Sequence, residues 1–464
     1  MLLLRKVAFY LFLCVYLVAC PLTILYALGY VVNPGAARGM IKTGLISLSS
    51  APPGAVVYLE GRRYTQRTPT ILRDLLPGEY RLTLLLKDHE PWIRTVSVVA
   101  EKATTLDRLL LWPKKRQPTE VLPEAVEHLI PASDTRFVLV VTGPRCHDVV
   151  VYDEETNARW PLMPLESPLA GCRVVGQTLV RGSSFLLVRV RSHEGDRFLG
   201  IDLEAGEVTP MDLTSLFPSP PRWVTWDPQA PHQLFAFQNG SVNQLHVEAM
   251  TISPRVVERV RGYGVAHKSL YVLTEDLAVQ RMDQKGKLIG VLFDDPVVGS
   301  ALFGLKGLFH ITALADHLML FQGERGELVI HVRSHWVVEH GVRGFAFDPQ
   351  RERLLLWRKD RIGVLDLSPA ASDVSLQWVF HDGRDIEQAF WVYHGSHVLF
   401  RDHDAIALLE LEPSPGPAPY PLLQVRPGSS VAYSEALGTL YYLDRTTDRF
   451  SSLEILPRNG SRQG

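Results

Sequence analysis

The sequence predicts a mainly β protein: one N-terminal transmembrane helix, a small β-sandwich, then a seven- or eight-bladed β-propeller-like domain. Three observations predict it. No charged side chain occurs between Val7 and Ala37. Short β runs broken by Pro-Gly turns fill residues 44–112. Beyond residue 120 a unit of about four strands recurs at spacings of roughly 35 to 45 residues.

Composition sets the outer bounds. At 464 residues the chain exceeds one ordinary core, so it divides into domains. Its 48 Lys+Arg nearly cancel its 50 Asp+Glu. Its basic residues do not run beyond Lys114-Lys115-Arg116, too little for a phosphate-binding face, which argues against nucleic acid as a partner.

The apolar run is densest from Ala8 to Val32. About 25 helical residues at 1.5 Å each cross a hydrocarbon core near 30 Å, so a membrane helix is assigned to 7–33. Pro21 would kink it, which membrane spans tolerate. Tyr26 and Tyr30 suit the far interface, and Asn33-Pro34-Gly35 ends the span. Arg5 and Lys6, in the short tail 1–6, are nearly balanced by Arg38 and Lys42, so flanking charge orients the span weakly. A basic tail before an apolar run favours a signal-anchor in the cytoplasmic membrane, single-pass, with the body extracytoplasmic. The rival is lipidation at Cys20, since Leu17-Val18-Ala19-Cys20 matches the pattern before a lipidated cysteine, although the residues after it stay apolar. Both readings make the lipid bilayer a partner. Cys146 and Cys172 are the cysteines of the soluble body. Outside the cytoplasm they either form one disulfide, worth about 3 kcal/mol, or stay as buried thiols.

From residue 44, strands at Leu45–Ser49, Val56–Leu59, Arg81–Leu86 and Thr95–Val99 alternate with turns at Pro52-Pro53-Gly54-Ala55 and Pro77-Gly78. The order Ser49, Pro53-Gly54-Ala55, Val57-Tyr58-Leu59, Gly61, Thr68-Pro69, Leu75, Pro77-Gly78, Tyr80, Trp92 resembles the PEGA domain across 44–112. Proline stands at Pro52-Pro53 where that family has an acidic residue. The resemblance implies a small β module of bacterial and archaeal envelope proteins with no catalytic set, and it supports the outward orientation. Tyr58, Tyr80 and Trp92 are expected to fill its core.

A polar joint at 113–119 leads into the repeats of 120–458, followed by a flexible tail at 459–464. Phe137–Val141, Asp148–Asp153, Phe185–Val190, Phe198–Asp202, Phe345–Asp348, Arg353–Trp357, Arg361–Asp366 and Thr439–Asp444 mark successive units. Many close on Asp before a polar turn. Four-stranded sheets of this kind bury their faces only against neighbouring blades; two stacked sandwiches are the rival architecture.

Gly-x-Ser-x-Gly, His-Glu-x-x-His, Cys-x-x-Cys and Gly-rich phosphate motifs are all missing, so no catalytic, cofactor or metal residue is assigned. The densest polar cluster, His381-Asp382-Gly383-Arg384-Asp385 with His394, His397 and Arg401-Asp402-His403-Asp404, reads as exposed blade turns. Isolated His232, His267 and His310 carry no site. Trp223, Trp226, Trp357 and Trp391 either pack between blades or line a sugar-binding face. The function these features support is a membrane-anchored, non-catalytic envelope binding or scaffolding protein whose partner is a protein or envelope polysaccharide. The alternative is a membrane-anchored propeller hydrolase.

Overall fold

The computed structural model describes residues 2–27, 30–32, 40–131, 137–142, 148–161, 173–179, 185–192, 195–202, 210–216, 221–227, 230–293, 307–315, 318–333, 335–368, 374–411 and 419–456. Two compact units emerge, one built on Met1–Gln117, the other on Pro118–Leu411 and Gly416–Ile455.

The N-terminal helix runs Leu2–Ala27 with Pro21 inside it. It stops short of the helix expected over 7–33. Tyr30–Val32 is a strand instead, paired antiparallel with Met40–Lys42. Aromatic and β-branched residues favour that pairing, and Asn33-Pro34-Gly35 is turn chemistry, so local preference overrides continued apolarity. Phe9, Leu11, Phe12, Leu17 and Val18 are exposed along the helix. Its described side chains run from Phe9 to Pro21, with Thr23 and Ile24. Among the described residues, no helix is long and apolar enough to cross a membrane.

The following β domain is a two-sheet sandwich. One sheet orders Thr70–Leu75, Gly44–Ala51 and Ala103–Leu110, the last two parallel. The other orders Arg62–Arg67, Val56–Leu59, Gly78–Leu85 and Trp92–Val98. Alternate residues of both meet in the core, including Ile46, Leu48, Val57, Leu59, Leu82, Leu84 and Trp92. Tyr80 packs at its margin and donates to Leu76 O at 2.8 Å. Tyr58 does not fill the core as expected. Val57 and Leu59 point inward, so the two-residue period turns Tyr58 to the other face. The Pro-Pro-Gly-Ala turn is held by buried Thr68, whose hydroxyl meets Ser50 Oγ at 2.6 Å and accepts from Ala55 N at 3.0 Å.

The second unit is a succession of four-stranded antiparallel meanders. The first blade uses the second half of Thr119–Pro131, then Phe137–Thr142, Asp148–Asp153 and Arg159–Pro161. The second spans Arg173–Leu179 to Met211–Asp212, the third Trp223–Asp227 to Thr251–Glu258, the fourth Val260–Ala266 to Leu288–Phe293. The fifth spans Phe309–Ala315 to His335–Glu339, the sixth Gly344–Asp348 to Leu376–Phe380, the seventh Ile386–Val392 to Tyr420–Gln424. The last contains Ala432–Ser434, Thr439–Leu443 and Arg449–Glu454. Its fourth strand is the first half of Thr119–Pro131, which pairs with Arg449–Glu454. Among the described residues, that makes eight blades closed by a strand shared between first and last. Stacked sandwiches would not produce this order.

Strand alternation builds the seams between blades. In Phe185–Ser192, Val188 and Val190 face the first blade while Leu187 faces the third. In Arg353–Trp357, Leu354 and Leu356 face the fifth blade while Leu355 and Trp357 face the seventh. Leu122, Val126, Leu129, Tyr152, Tyr441 and Phe450 close the ring between the eighth and first. Between the fourth and fifth, the inner strands come close enough to pair in parallel, Gly262 with Phe309 and Tyr263 with His310.

Candidate functional site at the blade seams

The strands that end in Asp explain themselves at this level. Asp153 Oδ1 accepts from Glu155 N, Asp283 Oδ1 from Lys285 N and Lys287 N, and Asp444 Oδ1 from Thr446 N and Thr447 N, at 2.8 to 3.0 Å. Each carboxylate closes its own turn.

The polar cluster of the seventh blade separates into two groups. His397 and Asp402 are the two ends of one six-residue strand, about 16 Å apart at the strand rise. On one rim, Asp402 accepts from Arg384 N and Asp385 N, and Asp385 pairs with Arg343 at 2.8 Å. The Arg343 guanidinium holds the Asp385 carboxyl below its usual range. Asp404 pairs with Arg445 of the eighth blade at 2.6 Å. On the other rim, Ser396 Oγ donates to Tyr393 O at 2.8 Å and lies 2.8 Å from His397 Nδ1. Its one proton is thereby committed, so His397 Nδ1 donates to the serine and does not activate it. Burial holds the His397 imidazole neutral, with its pKa pushed down to about 3.

Two of these residues are not exposed turn groups as expected. His397 is 3 % exposed and Arg401 is 2 % exposed. Both belong to the strand, where alternation turns them toward the eighth blade alongside Gln388, which grips Val431 through its N and O. Arg401 pairs with Glu387, leaving Nε and Nη1 buried without a partner. Among the described residues, no three His, Cys, Asp or Glu side chains converge to hold a metal.

Trp223, Trp357 and Trp391 pack. Trp357 Nε1 donates to Glu387 O and Trp391 Nε1 to Ala346 O, crossing one seam in opposite directions. Trp223 stacks on Phe237 with ring centroids 4.6 Å apart. Trp226 lies in Trp223–Asp227, its side chain outside the described residues, as is that of His232. His267 is exposed, and burial lowers the His310 pKa. Cys146 and Cys172 fall outside the described residues, and Cys20 is a half-exposed free thiol.

Two features had no local sequence signal. Arg261, Arg343 and Arg426 each donate to the backbone opening the next inner strand, at Gly307 O, Ile386 O and Val126 O. Glu154 is buried between the first and eighth blades. Burial is the largest influence on it, opposed by a hydrogen bond from Ser434, and pushes its carboxyl from 4.5 up to about 7. Its Oε2 has no partner. Since folding favours the protonated form, its stabilising share is whole below pH 4.5 and lost as pH rises through 7. Glu154→Gln should therefore melt about 5 °C higher than the parent at pH 8, from about 3 kcal/mol, with little change at pH 4. Equal shifts at both pH values would show that this carboxyl is not the titrating group.

Comparison with known proteins bears first on the sandwich. Residues 43–110 match the PEGA domain. The Thr68-stapled turn, the inward Val57 and Leu59 and the two-sheet core are thus the framework of a PEGA module. No curated protein sequence matches the chain. Among solved structures, the Cps50 (Swd1) β-propeller domain of Myceliophteria thermophila aligns with 73% of this chain and 99% of its own, at 13% identity and TM-score 0.43. BamB from Moraxella catarrhalis aligns over 73% and 99%, at 12% identity and TM-score 0.40. PorZ of Porphyromonas gingivalis aligns over 70% of this chain but only 42% of its own, at 13% identity and TM-score 0.38. The propeller assignment beside the PEGA domain rests on the strand order.

Proposed function

We propose that this chain is a membrane-anchored, non-catalytic envelope protein that binds or scaffolds partners, carrying its PEGA module and propeller outside the cytoplasmic membrane. The observation that carries the reading is the engagement of the chemistry-bearing side chains of the seventh blade. Asp385, Asp402 and Asp404 hold turns and neighbouring arginines, and His397 and Arg401 are buried in a seam. What the propeller then offers is two rigid rims, suited to a protein or an envelope polysaccharide. The exposed apolar side chains of the N-terminal helix support attachment to a bilayer. The hydrolase alternative would need a carboxyl that a substrate can reach, and Glu154, raised to about 7, is buried in a seam.

Topology is tested with a single cysteine at exposed Lys359 in a chain whose four native cysteines are serine. An impermeant maleimide should label it in intact cells. Labelling only after lysis would reverse the orientation. Photo-crosslinkers at Lys359 and at Lys268, on the opposite rim, should give discrete adducts; failure at both would sink the scaffold reading.

A further inference from the structure

Among the described residues, seven strands build the sandwich, from Gly44–Ala51 to Ala103–Leu110. The first and last are neighbours in one sheet and run parallel. The chain therefore enters the module at one end and leaves it at the opposite end. Upstream in the chain lies the N-terminal helix Leu2–Ala27, and downstream the propeller. Tension along the chain between helix and propeller would pull Gly44–Ala51 and Ala103–Leu110 in opposite directions along their common axis.

That axis decides how the hydrogen bonds are stressed. A pull across a ladder opens it rung by rung, releasing about 7 Å of chain each time, two strand rises. A pull along the ladder stretches all of its rungs together. The pair registers Leu45 with Ala103 through Leu48 with Leu106, then Ser50 with Leu109 and Ala51 with Leu110. The extra residue at Asp107-Arg108 is a bulge, which pins the register against slipping. Sliding would also drag Leu106, Leu109 and Leu111 past Ile46 and Leu48 in the core.

Both ends of this path are fastened beyond the ladder. At the entry, Thr43 O accepts from Glu101 N at 3.0 Å, and Lys42 pairs with the Glu101 carboxylate. At the exit, Leu111 N donates to Ala51 O at 2.9 Å. Trp112 O then accepts from Glu90 N at 2.7 Å, and Lys114 N donates to Asp88 O at 2.9 Å. These contacts hold the departing chain on the loop between Gly78–Leu85 and Trp92–Val98.

We propose that the sandwich is a shear clamp, whose parallel terminal strands keep it folded while tension passes between the membrane helix and whatever the propeller holds. This rests on the reading that the chain is tethered to a membrane and binds an envelope partner. Had the terminal strands paired antiparallel, the chain would enter and leave at the same end, and the same tension would peel the ladder. The parallel order gives the module a mechanical function that its lack of a catalytic set leaves open.

The test compares two directions of pull by single-molecule force spectroscopy on the full chain in detergent, its four native cysteines replaced by serine. One handle is an N-terminal tag. The other is Lys115→Cys, beyond the exit, or Lys102→Cys, beside the entry, both at exposed positions. Through Lys115→Cys the module should unfold with a contour gain of about 20 nm, from about 3.4 Å per residue over 44–110 less the folded span. The force required should be about threefold or more above that through Lys102→Cys, which peels the same ladder. Equal forces in the two directions would overturn the clamp. Flotation with lipid vesicles reports the tether separately. Loss of flotation with the stronger in-line force defeats the tether reading alone, whereas flotation with equal forces defeats the clamp alone.

Discussion

Gly264→Ala should lower the stability of the propeller by about 4 kcal/mol, read as a melting temperature about 6 °C lower or as loss of soluble folded protein. A Cβ at this position would stand 1.8 Å from Ile311 O and 2.6 Å from Ile311 C. Those atoms belong to the inner strand of the fifth blade, so no side-chain rotation relieves the clash. The strand itself must retreat by more than an ångström. That retreat breaks the parallel pairing of Gly262 with Phe309 and of Tyr263 with His310. It also opens the seam in which Ala266, Tyr271 and Leu273 pack on Phe309 and Ile311. Overpacking commonly costs about 1–3 kcal/mol, and lost hydrogen bonds about 1 kcal/mol each, which together give the figure. Gly290→Ala is the matched control, since a Cβ there meets nothing within 4 Å. It should change stability by less than about 0.5 kcal/mol. If Gly264→Ala melted with the control, the close approach of the two inner strands would be wrong.

Much of the fold was legible because its signals are local and repeat. The apolar runs Val56-Val57-Tyr58-Leu59 and Leu354-Leu355-Leu356-Trp357 announce strands by themselves. Asp153, Asp283 and Asp444 announce turns because each binds backbone two to four residues on. The end of the N-terminal helix was harder. Tyr30-Val31-Val32 is apolar enough for a helix and β-branched enough for a strand, and only its partner Met40–Lys42 decides. Side chains at seams were not legible at all. Arg401 stands beside Asp402-His403-Asp404 and shares their polarity, yet strand alternation sends it inward. Glu154 sits in a run of turn-forming residues, and its hydrogen-bond partner in the seam is Ser434, 280 positions later in the chain. Such contacts depend on ring closure, which no short window of sequence contains.

The closure itself is where the second large effect is expected: Phe450→Ala should destabilise the propeller by about 4 kcal/mol and loosen the ring first at its join. Phe450 is fully buried, edge-on to Tyr152 at 5.5 Å and beside Tyr441 at 5.9 Å. Tyr152 belongs to the first blade and Tyr441 to the eighth, so one ring bridges both sides of the seam. Truncation removes a large buried side chain and the aromatic pairing, worth about 3–5 and about 0.5–1.5 kcal/mol respectively before relaxation. The shared strand makes the damage local. Thr119–Pro131 pairs with Arg449–Glu454 through its first half and with Phe137–Thr142 through its second, with a register shift in each ladder. The Arg449–Glu120 pair at 2.6 Å is half-exposed on both sides, so breaking it by Glu120→Gln should cost less than about 1 kcal/mol. Hydrogen exchange separates local opening from global unfolding. In Phe450→Ala, amides of 119–125 and 449–454 should exchange at least a hundredfold faster (about 2.7 kcal/mol) while those of the fifth blade keep more of their protection. Uniform acceleration across all blades would mean that the ring opens only by unfolding as a whole, and that the shared strand is no weaker than any other seam.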